Sequence, residues 1–343
     1  MVNIEKSKNR VFIVAELSAN HNNNYDLAVR TIEAMANAGA DAVKVQTYKP
    51  ESLTIDIDTG YFAPRTEGLW KGYTPWKLYE EACMPYEWQL KLKKIAEDFG
   101  LVFFSSPFDK EGVDFLESID VPYYKIASME IVDIPLIEYA ASKGKPMIIS
   151  TGVADIEDIQ LVIDTCHEAG NNNITLLKCT AEYPANIEKA NLLSIPDMKN
   201  RFGVEVGVSD HTMGSLVPVV AVSLGATVVE KHFILDRKSG GPDSAFSMEP
   251  SEFREMVQSV RQAEKALGEI TYKVSEKDKN RRRSLFVVKD IKAGDIIAEE
   301  NVRSIRPGYG LHPKYLHEIL GKTVIKDLKK GEPLKLEYIK DKE

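Results

Sequence analysis

Eight short apolar runs, rich in Val, Ile and Phe, recur at 11–15, 42–45, 101–104, 123–127, 147–149, 174–177, 204–208 and 226–229. Amphipathic stretches with helical spacing separate them, as in Leu27, Ile32 and Met35 or in Leu161, Ile163 and Cys166. Six helix-to-strand joints carry a glycine just before the strand: Gly39, Gly100, Gly144, Gly170, Gly203 and Gly225. Glycine readily adopts the left-handed conformation that ends a helix, so each marks an αβ joint. Strand alternating with helix eight times predicts an α/β fold, the (β/α)8 TIM barrel. A doubly wound open sheet would share the alternation. Its dinucleotide-binding version carries G-x-G-x-x-G after the first strand, and none occurs here.

The spacing breaks once, at an insertion over 49–85 that holds Trp70, Trp76 and several tyrosines. Loops of that length at a barrel mouth serve as lids over substrate or as peripheral packing excursions, and both readings stand. After residue 267 the pattern changes. Residues 268–283 are polar and charge-dense and read as a linker between a 1–267 barrel and a 284–343 domain. The second segment repeats itself: Val288-Lys289-Asp290-Ile291-Lys292-Ala293-Gly294-Asp295 returns 37 residues later as Ile325-Lys326-Asp327-Leu328-Lys329-Lys330-Gly331-Glu332. Each copy is expected to be a strand followed by a turn, the two packing as one small β-rich domain. About 60 residues is marginal for an independent core, so such a domain is expected to lean on something.

Charge divides the chain in the same place. From Gly268 onward 18 basic residues face 13 acidic ones, or +5, which leaves −13 of the net −8 on the barrel segment. The basic residues alternate with acids and no aromatic-interleaved stripe appears, so nucleic acid is not an expected partner. With 43% hydrophobic and 28% charged residues the composition excludes disordered and collagen-like chains. No run of eighteen apolar residues occurs and the opening, Met1 to Arg10, is polar, which argues against a membrane span and a secretory signal. Cys83, Cys166 and Cys179 form no C-x-x-C or zinc-like spacing, so the chain reads as cytoplasmic with reduced thiols.

In a barrel of this kind reactive side chains gather at the C-terminal strand ends. Those ends carry Glu16; Lys44 and Gln46; Ser105 and Ser106; Lys125, Ser128 and Glu130; Ser150; Lys178 and Thr180; Ser209, Asp210 and His211; Glu230 and His232. His211 and His232 end adjacent strands, which lie about 4.8 Å apart, so at matching heights the two imidazoles would share one ion. Two protein ligands leave room for water and substrate oxygens, which suits octahedral Mg²⁺ or Mn²⁺ better than zinc. Alternatively each histidine is a hydrogen-bonded loop residue. Lys44 and Lys125 sit in apolar surroundings and need an anion there, either a phosphate or carboxylate ligand or an internal partner such as Glu16 or Glu130, unless one of them is a Schiff-base lysine. Ser106, Ser128 and Ser209 favour the ligand. Glu16 and Glu130 are then general acid/base candidates, or else the partners that hold the lysines. Cys179 has no histidine in its own loop and reads as a buried thiol. These residues point to a metal-assisted lyase or transferase acting on an anionic, carbonyl-containing small molecule.

The same residues carry a resemblance. Ala15-Glu16-Leu17-Ser18-Ala19-Asn20-His21, Lys44-Val45-Gln46, Tyr124-Lys125-Ile126-Ala127-Ser128, Ser150-Thr151-Gly152, Ser209-Asp210-His211-Thr212, Glu230-Lys231-His232-Phe233 and Gly241-Pro242-Asp243 resemble the sialic acid synthase family in order and spacing. The tail, with Arg306-Pro307-Gly308, is similar to that family's antifreeze-like (SAF) domain. The opening motif and the Gly240–Ser247 stretch resemble the family's pseudaminic acid branch. Its legionaminic and N-acetylneuraminic acid branches are the alternatives, and a non-catalytic carbohydrate- or ice-binding protein is the alternative of another class. Ala181 stands where the neuraminate enzymes carry an asparagine, a contact for Glu182 or a water to remake.

The resemblance implies condensation of phosphoenolpyruvate with an open-chain amino sugar, giving a nine-carbon ulosonic acid and phosphate. It assigns a divalent metal, Mn²⁺ or Mg²⁺, to His211 and His232. It assigns the enolpyruvate anion to Lys44, Ser106, Lys125, Ser128 and Ser209. Glu16 and Glu130 would move protons or orient the sugar, Asp243 would read its hydroxyls, and Gln46, Ser150 and Tyr183 are second-rank candidates. It further implies a domain-swapped homodimer in which Arg306 reaches the sugar of the other subunit.

Overall fold

The computed structural model describes residues 10–340; residues 1–9, which make up most of the polar opening, and residues 341–343 lie outside it. Contacts along the chain divide it into two compact units, one ending at Gly268 and the other beginning at Glu269.

The first unit is a closed barrel of eight parallel strands in sequence order. They are β1 (Phe12–Glu16), β2 (Ala42–Thr47), β3 (Val102–Pro107), β4 (Tyr124–Ile126), β5 (Met147–Ser150), β6 (Ile174–Cys179), β7 (Glu205–Ser209) and β8 (Val228–His232). β8 pairs back onto β1, with Glu16 opposite His232, so no edge is left open. The connecting helices begin and end as their sequences dictate. Asn24 accepts from the Leu27 N–H to start Tyr25–Ala38, and Asp155 forms a capping box with Asp158 to start Ile156–Glu168. All six joint glycines take positive φ, between 67° and 98°.

Side chains alternate along each strand, and the two phases do different work. One phase, with Ile13, Ala15, Val43, Val45, Phe103, Ile126, Ile149, Leu176 and Val208, packs on the helices in the main core. The other phase closes the barrel's N-terminal end with Phe12, Val14, Ala42, Phe104, Tyr123, Ile148, Leu177 and Val228. Continuing that second phase by two residues reaches Glu16, Lys44, Ser106, Lys125, Ser150, Cys179, Ser209 and Glu230. The plug therefore forms the floor of the site.

The insertion folds as short helices at Pro50–Leu53 and Pro75–Ala82, the latter capped by Thr74, with a tight turn between them in which Arg65 and Tyr73 pair through their backbones. Among the described residues no helix is long and apolar enough to cross a membrane.

The second unit packs Leu285, Val287, Ile291, Ile297, Val302, Ile319, Val324, Leu328 and Leu334 into a core of its own. It has two short antiparallel pairs, β9 (Ser284–Val287) with β10 (Val302–Ile305) and β11 (Thr323–Val324) with β12 (Ile339–Lys340). The repeat is not a pair of strands as expected. Each copy begins where a strand ends and runs as a turn, the two meeting in a single antiparallel bridge between Ile291 and Leu328. The reason lies in its charges: Lys292 pairs with Asp327 at 2.6 Å and Lys329 with Asp290 at 3.0 Å. The same aspartates accept from the Ala293 and Lys330 backbone N–H groups, which curls each copy around the other. Within 269–283, Glu276–Lys279 makes one helical turn capped by Ser275.

Candidate active site

The register that closes the barrel also builds the site. Glu16, Lys44, Lys125 and Glu230, from β1, β2, β4 and β8, form one layer above the apolar floor, each almost wholly removed from solvent. Lys44 Nζ lies 2.6 Å from Glu16 Oε2 and 3.6 Å from Glu230 Oε1, and Lys125 Nζ lies 3.4 Å from Glu230 Oε1. Two cations and two anions thus balance in a low-dielectric pocket, the arrangement that makes buried charge tolerable.

Their proton affinities follow from burial and from these neighbours. Burial raises the Glu16 carboxyl to about 7, against the opposing pull of Lys44. Burial would lower Lys44, but Glu16 and Glu230 outweigh it and hold its ammonium above the ordinary value. Lys125 goes the other way, lowered by burial that Glu230 only partly offsets. Burial alone would raise Glu230, yet Lys125 and Lys44 keep it ionised and below the usual range. Both lysines thus meet internal carboxylates. For Lys125 that partner is Glu230, where the sequence offers Glu16 or Glu130 as the internal alternative to a ligand. Glu130 follows β4 in a 3-10 turn, and burial lifts its carboxyl to about 7.

The serines line the same rim. Lys44 Nζ donates to Ser106 Oγ at 3.4 Å, and Ser209 Oγ donates to Glu230 Oε1 at 3.1 Å. Ser128 Oγ accepts from the Gly152 N–H at 3.1 Å, which leaves its own hydroxyl proton to donate. A Cβ at Gly152 would lie 2.7 Å from that oxygen, so the contact needs glycine. Ser150 Oγ, Glu130 Oε2, Glu230 Oε2 and His232 Nδ1 are buried with no hydrogen-bond partner. Buried polar atoms are rarely left so, and a group of them at one barrel mouth marks a ligand position.

Ser209 and Glu230 are register partners, so His211 and His232, each two residues further on, reach equal heights. Their ring centroids are 5.3 Å apart. The Thr180 carbonyl accepts from His211 Nδ1 at 3.0 Å, which leaves Nε2 of that ring as its free donor atom. His232 is lowered well below its ordinary range by burial and by His211 and Lys44, so it is neutral and its lone pair is available. Asp243 Oδ2 lies 3.9 Å from His232 Nδ1. Among the described residues no group of three or more His, Cys, Asp or Glu is disposed around a common metal position. The Nε2 of His211 and the orphaned Nδ1 of the neutral His232 fit an ion that takes its other ligands from water and substrate.

A ring of residues holds the far side. Asp243 accepts from Ser18 Oγ, and from the Ala19 N–H at 3.3 Å. Gln46 Nε2 donates to Ser18 Oγ at 3.0 Å and to Glu16 Oε1 at 3.2 Å. Gly241 takes φ +111° beside Asn22, whose Oδ1 would sit 2.4 Å from an added Cβ, so only glycine lets this loop pass. The Tyr183 ring packs at a tilt against His211, with centroids 4.4 Å apart, and against Phe246 at 5.0 Å. Cys179 is buried, as expected, yet β7 brings it a histidine after all: its Sγ lies 4.0 Å from His211 Nδ1. Glu182 turns to Lys189, so its carboxylate does not replace the missing asparagine amide at Ala181.

The structure therefore gathers Glu16, Gln46, Lys44, Ser106, Lys125, Ser128, Glu130, Tyr183, Ser209, His211, His232 and Asp243 around one barrel mouth. Arg306 belongs to the second unit, where it is exposed just after β10. Sequence reasoning gave Glu230 no role, although its inward phase two residues before His232 was the available signal. Ser18, although inside the opening motif, and Trp70, although noted in the insertion, were given no role.

Residues 31–272 match the NeuB family and residues 282–339 the SAF domain. The pseudaminic acid synthase of Campylobacter jejuni subsp. jejuni is 48% identical, the match covering 95% of this chain and 96% of that protein. The pseudaminic acid synthase of Helicobacter pylori is 45% identical over 95% of this chain and 97% of its own. Among solved structures, N-acetylneuraminic acid (sialic acid) synthetase from Leptospira borgpetersenii in complex with citrate superposes with a TM-score of 0.71. It is 31% identical and covers 79% of this chain and 90% of that one. The family model spans most of the barrel unit and the second model most of the second unit, so the chain belongs to the NeuB family, with a SAF domain at its C-terminal end.

Proposed function

We propose that this chain is a pseudaminic acid synthase, condensing phosphoenolpyruvate with 2,4-diacetamido-2,4,6-trideoxy-L-altrose to give pseudaminic acid and phosphate. The observation that carries the reading is a two-lysine, two-glutamate layer beneath a histidine pair, in a chain 48% identical to a pseudaminic acid synthase over 95% of its length.

Lys44 and Lys125 bind the enolpyruvate phosphate and carboxylate, exchanging internal carboxylates for the ligand's. Ser106, Ser128 and Ser209 donate to the same oxygens, with Ser128 pre-set for this by the Gly152 N–H. Enzymes of the family generally depend on a metal, and His211 and His232 would hold it as Mn²⁺ or Mg²⁺. When bound, it supplies Lewis-acid polarisation of the sugar aldehyde. Asp243, Gln46 and Tyr183 orient the open-chain sugar so that the enol C3 meets the aldehyde carbon and the new C–C bond forms. Positive charge then develops at enolpyruvate C2, and the carboxylates of Glu230 and Glu16 in the layer below would stabilise it. Water adds at C2 and loses a proton, the former aldehyde oxygen gains one, and the tetrahedral centre expels phosphate by C–O cleavage. Glu16 and Glu130, both near 7, are suited to exchanging those protons at neutral pH. The enzyme is proposed to act in the cytoplasm as a domain-swapped homodimer, with Arg306 of the other subunit on the sugar.

Phosphate release from phosphoenolpyruvate tests the reading. It should be fast with the 2,4-diacetamido-2,4,6-trideoxy sugar and slow with N-acetylmannosamine; the reverse preference would replace the assignment with a neuraminate synthase. Chelation should abolish turnover and Mn²⁺ restore it. Borohydride should trap nothing on Lys44 or Lys125, which separates this chemistry from a Schiff-base aldolase.

A further inference from the structure

Along the sequence Trp70 is remote from every strand end, in the turn of the 49–85 insertion, yet it is tied to the site at several points. The turn is closed by its own backbone: Arg65 N–H donates to the Tyr73 carbonyl at 2.9 Å and Gly72 N–H to the Arg65 carbonyl at 2.8 Å. Tyr73 Oη donates to Glu81 at 2.8 Å, fastening the turn to the following helix. The Arg65 guanidinium lies 5.0 Å from the Trp70 ring, on which Tyr183 also packs at 5.7 Å. The indole is thus held in place. Its Nε1–H donates to the Pro242 carbonyl at 2.8 Å, one residue before Asp243. Tyr183 continues the wall to His211, and Phe246 lies 4.8 Å from His232.

We infer that Trp70 is a specificity-determining residue, which fixes the Pro242–Asp243 corner through its N–H and adds its ring to an apolar wall that selects a sugar rich in methyl groups. The inference rests on the functional reading above and deepens it. The diacetamido, 6-deoxy sugar carries two acetamido methyls and a terminal methyl. N-acetylmannosamine carries one acetamido methyl, with hydroxyls at the other two positions. An indole, a phenol and a phenyl ring beside the metal-binding pair favour the first by excluding water from those methyls, and each matched methyl is worth about tenfold or more in discrimination. The N–H acts separately from the ring. Without it the backbone carrying Asp243 loses one of its anchors, and Asp243 is then less well placed to read sugar hydroxyls.

The test is a kinetic comparison of wild type, Trp70→Phe and Trp70→Ala, with both sugars and with phosphoenolpyruvate varied separately. The inference expects Trp70→Ala to lower the preference for the diacetamido sugar over N-acetylmannosamine by about tenfold or more, with the KM for phosphoenolpyruvate unchanged. Trp70→Phe keeps an aromatic ring and should retain most of the preference while raising the sugar KM. A wild type that favours the diacetamido sugar, with Trp70→Ala keeping the same ratio, overturns the inference alone. A wild type that favours N-acetylmannosamine overturns the functional reading and the inference with it. Equal losses for both sugars and for phosphoenolpyruvate would make Trp70 a structural residue and overturn the inference too.

Discussion

The two ends of the barrel lumen are built from the same strands in the same side-chain phase, and they could hardly differ more. At the N-terminal end Phe12, Val14, Phe104, Ile148 and Leu177 fill the interior with hydrocarbon. At the C-terminal end Glu16, Lys44, Lys125 and Glu230 fill it with charge, as little exposed as the floor. The floor is stabilised by burial at about 25 cal/mol per Å² and asks nothing of its neighbours beyond shape. The ionic layer survives only because each charge has a partner within 4 Å. One end can therefore be judged by its stability and the other by its ligand.

Breaking the ionic layer should have the largest effect. Lys44→Met leaves Glu16 and Glu230 without their shared cation. Turnover should fall by at least about a thousandfold, by the loss of anion binding and of transition-state charge balance. Stability should drop by about 3–5 kcal/mol in urea denaturation unless a carboxyl takes up a proton instead. Phe104→Ala, on the floor below, should cost a similar ~3–5 kcal/mol through the cavity it leaves. In the fraction that folds, its kcat should stay near wild type, which is the contrast to check.

A smaller effect separates the two ends by pH. Glu130 titrates at about 7 in the folded protein, above the ordinary 4.5, because burial disfavours its charge. The folded state thus binds that proton more tightly than the unfolded chain. The resulting stability is complete below about 4.5 and is lost as pH rises through about 7. Glu16, also raised to about 7, contributes with the same sign. Glu130→Gln should flatten the fall of Tm between pH 5 and 8, removing about 1–3 kcal/mol of pH dependence. A slope unchanged from wild type would mean that Glu130 is ionised throughout. Least disturbing is Ile148→Val on the floor, with about 0.5–1.5 kcal/mol lost in the same urea titration and no shift in either substrate's KM.

Much of the barrel was legible because its signals are local. Apolar runs located all eight strands to within a few residues, and each joint glycine has the positive φ expected of it. The C-terminal repeat was legible as a repeat but misread as strands, since its Asp–Lys ties run between copies and leave no periodic mark. Within the site, Glu16, Lys44 and Lys125 stood out as charges in apolar strands. Glu230 was passed over because its partners come from β2, β4 and β7. Ser18 meets Asp243 across 225 residues and Trp70 meets Pro242 across 172, distances over which no sequence window carries a pattern.

By itself the sequence determined the barrel, the period-two phase that aims each strand-end residue inward, and the motifs that link the chain to its family. These depend on backbone sterics and on hydrophobic burial, which act residue by residue. Only the tertiary structure decided which carboxylate each lysine meets, that His211 and His232 stand level, and that the insertion brings an indole to the mouth. Those outcomes depend on strand register and loop path, and electrostatic pairing follows distance in space whatever the separation along the chain.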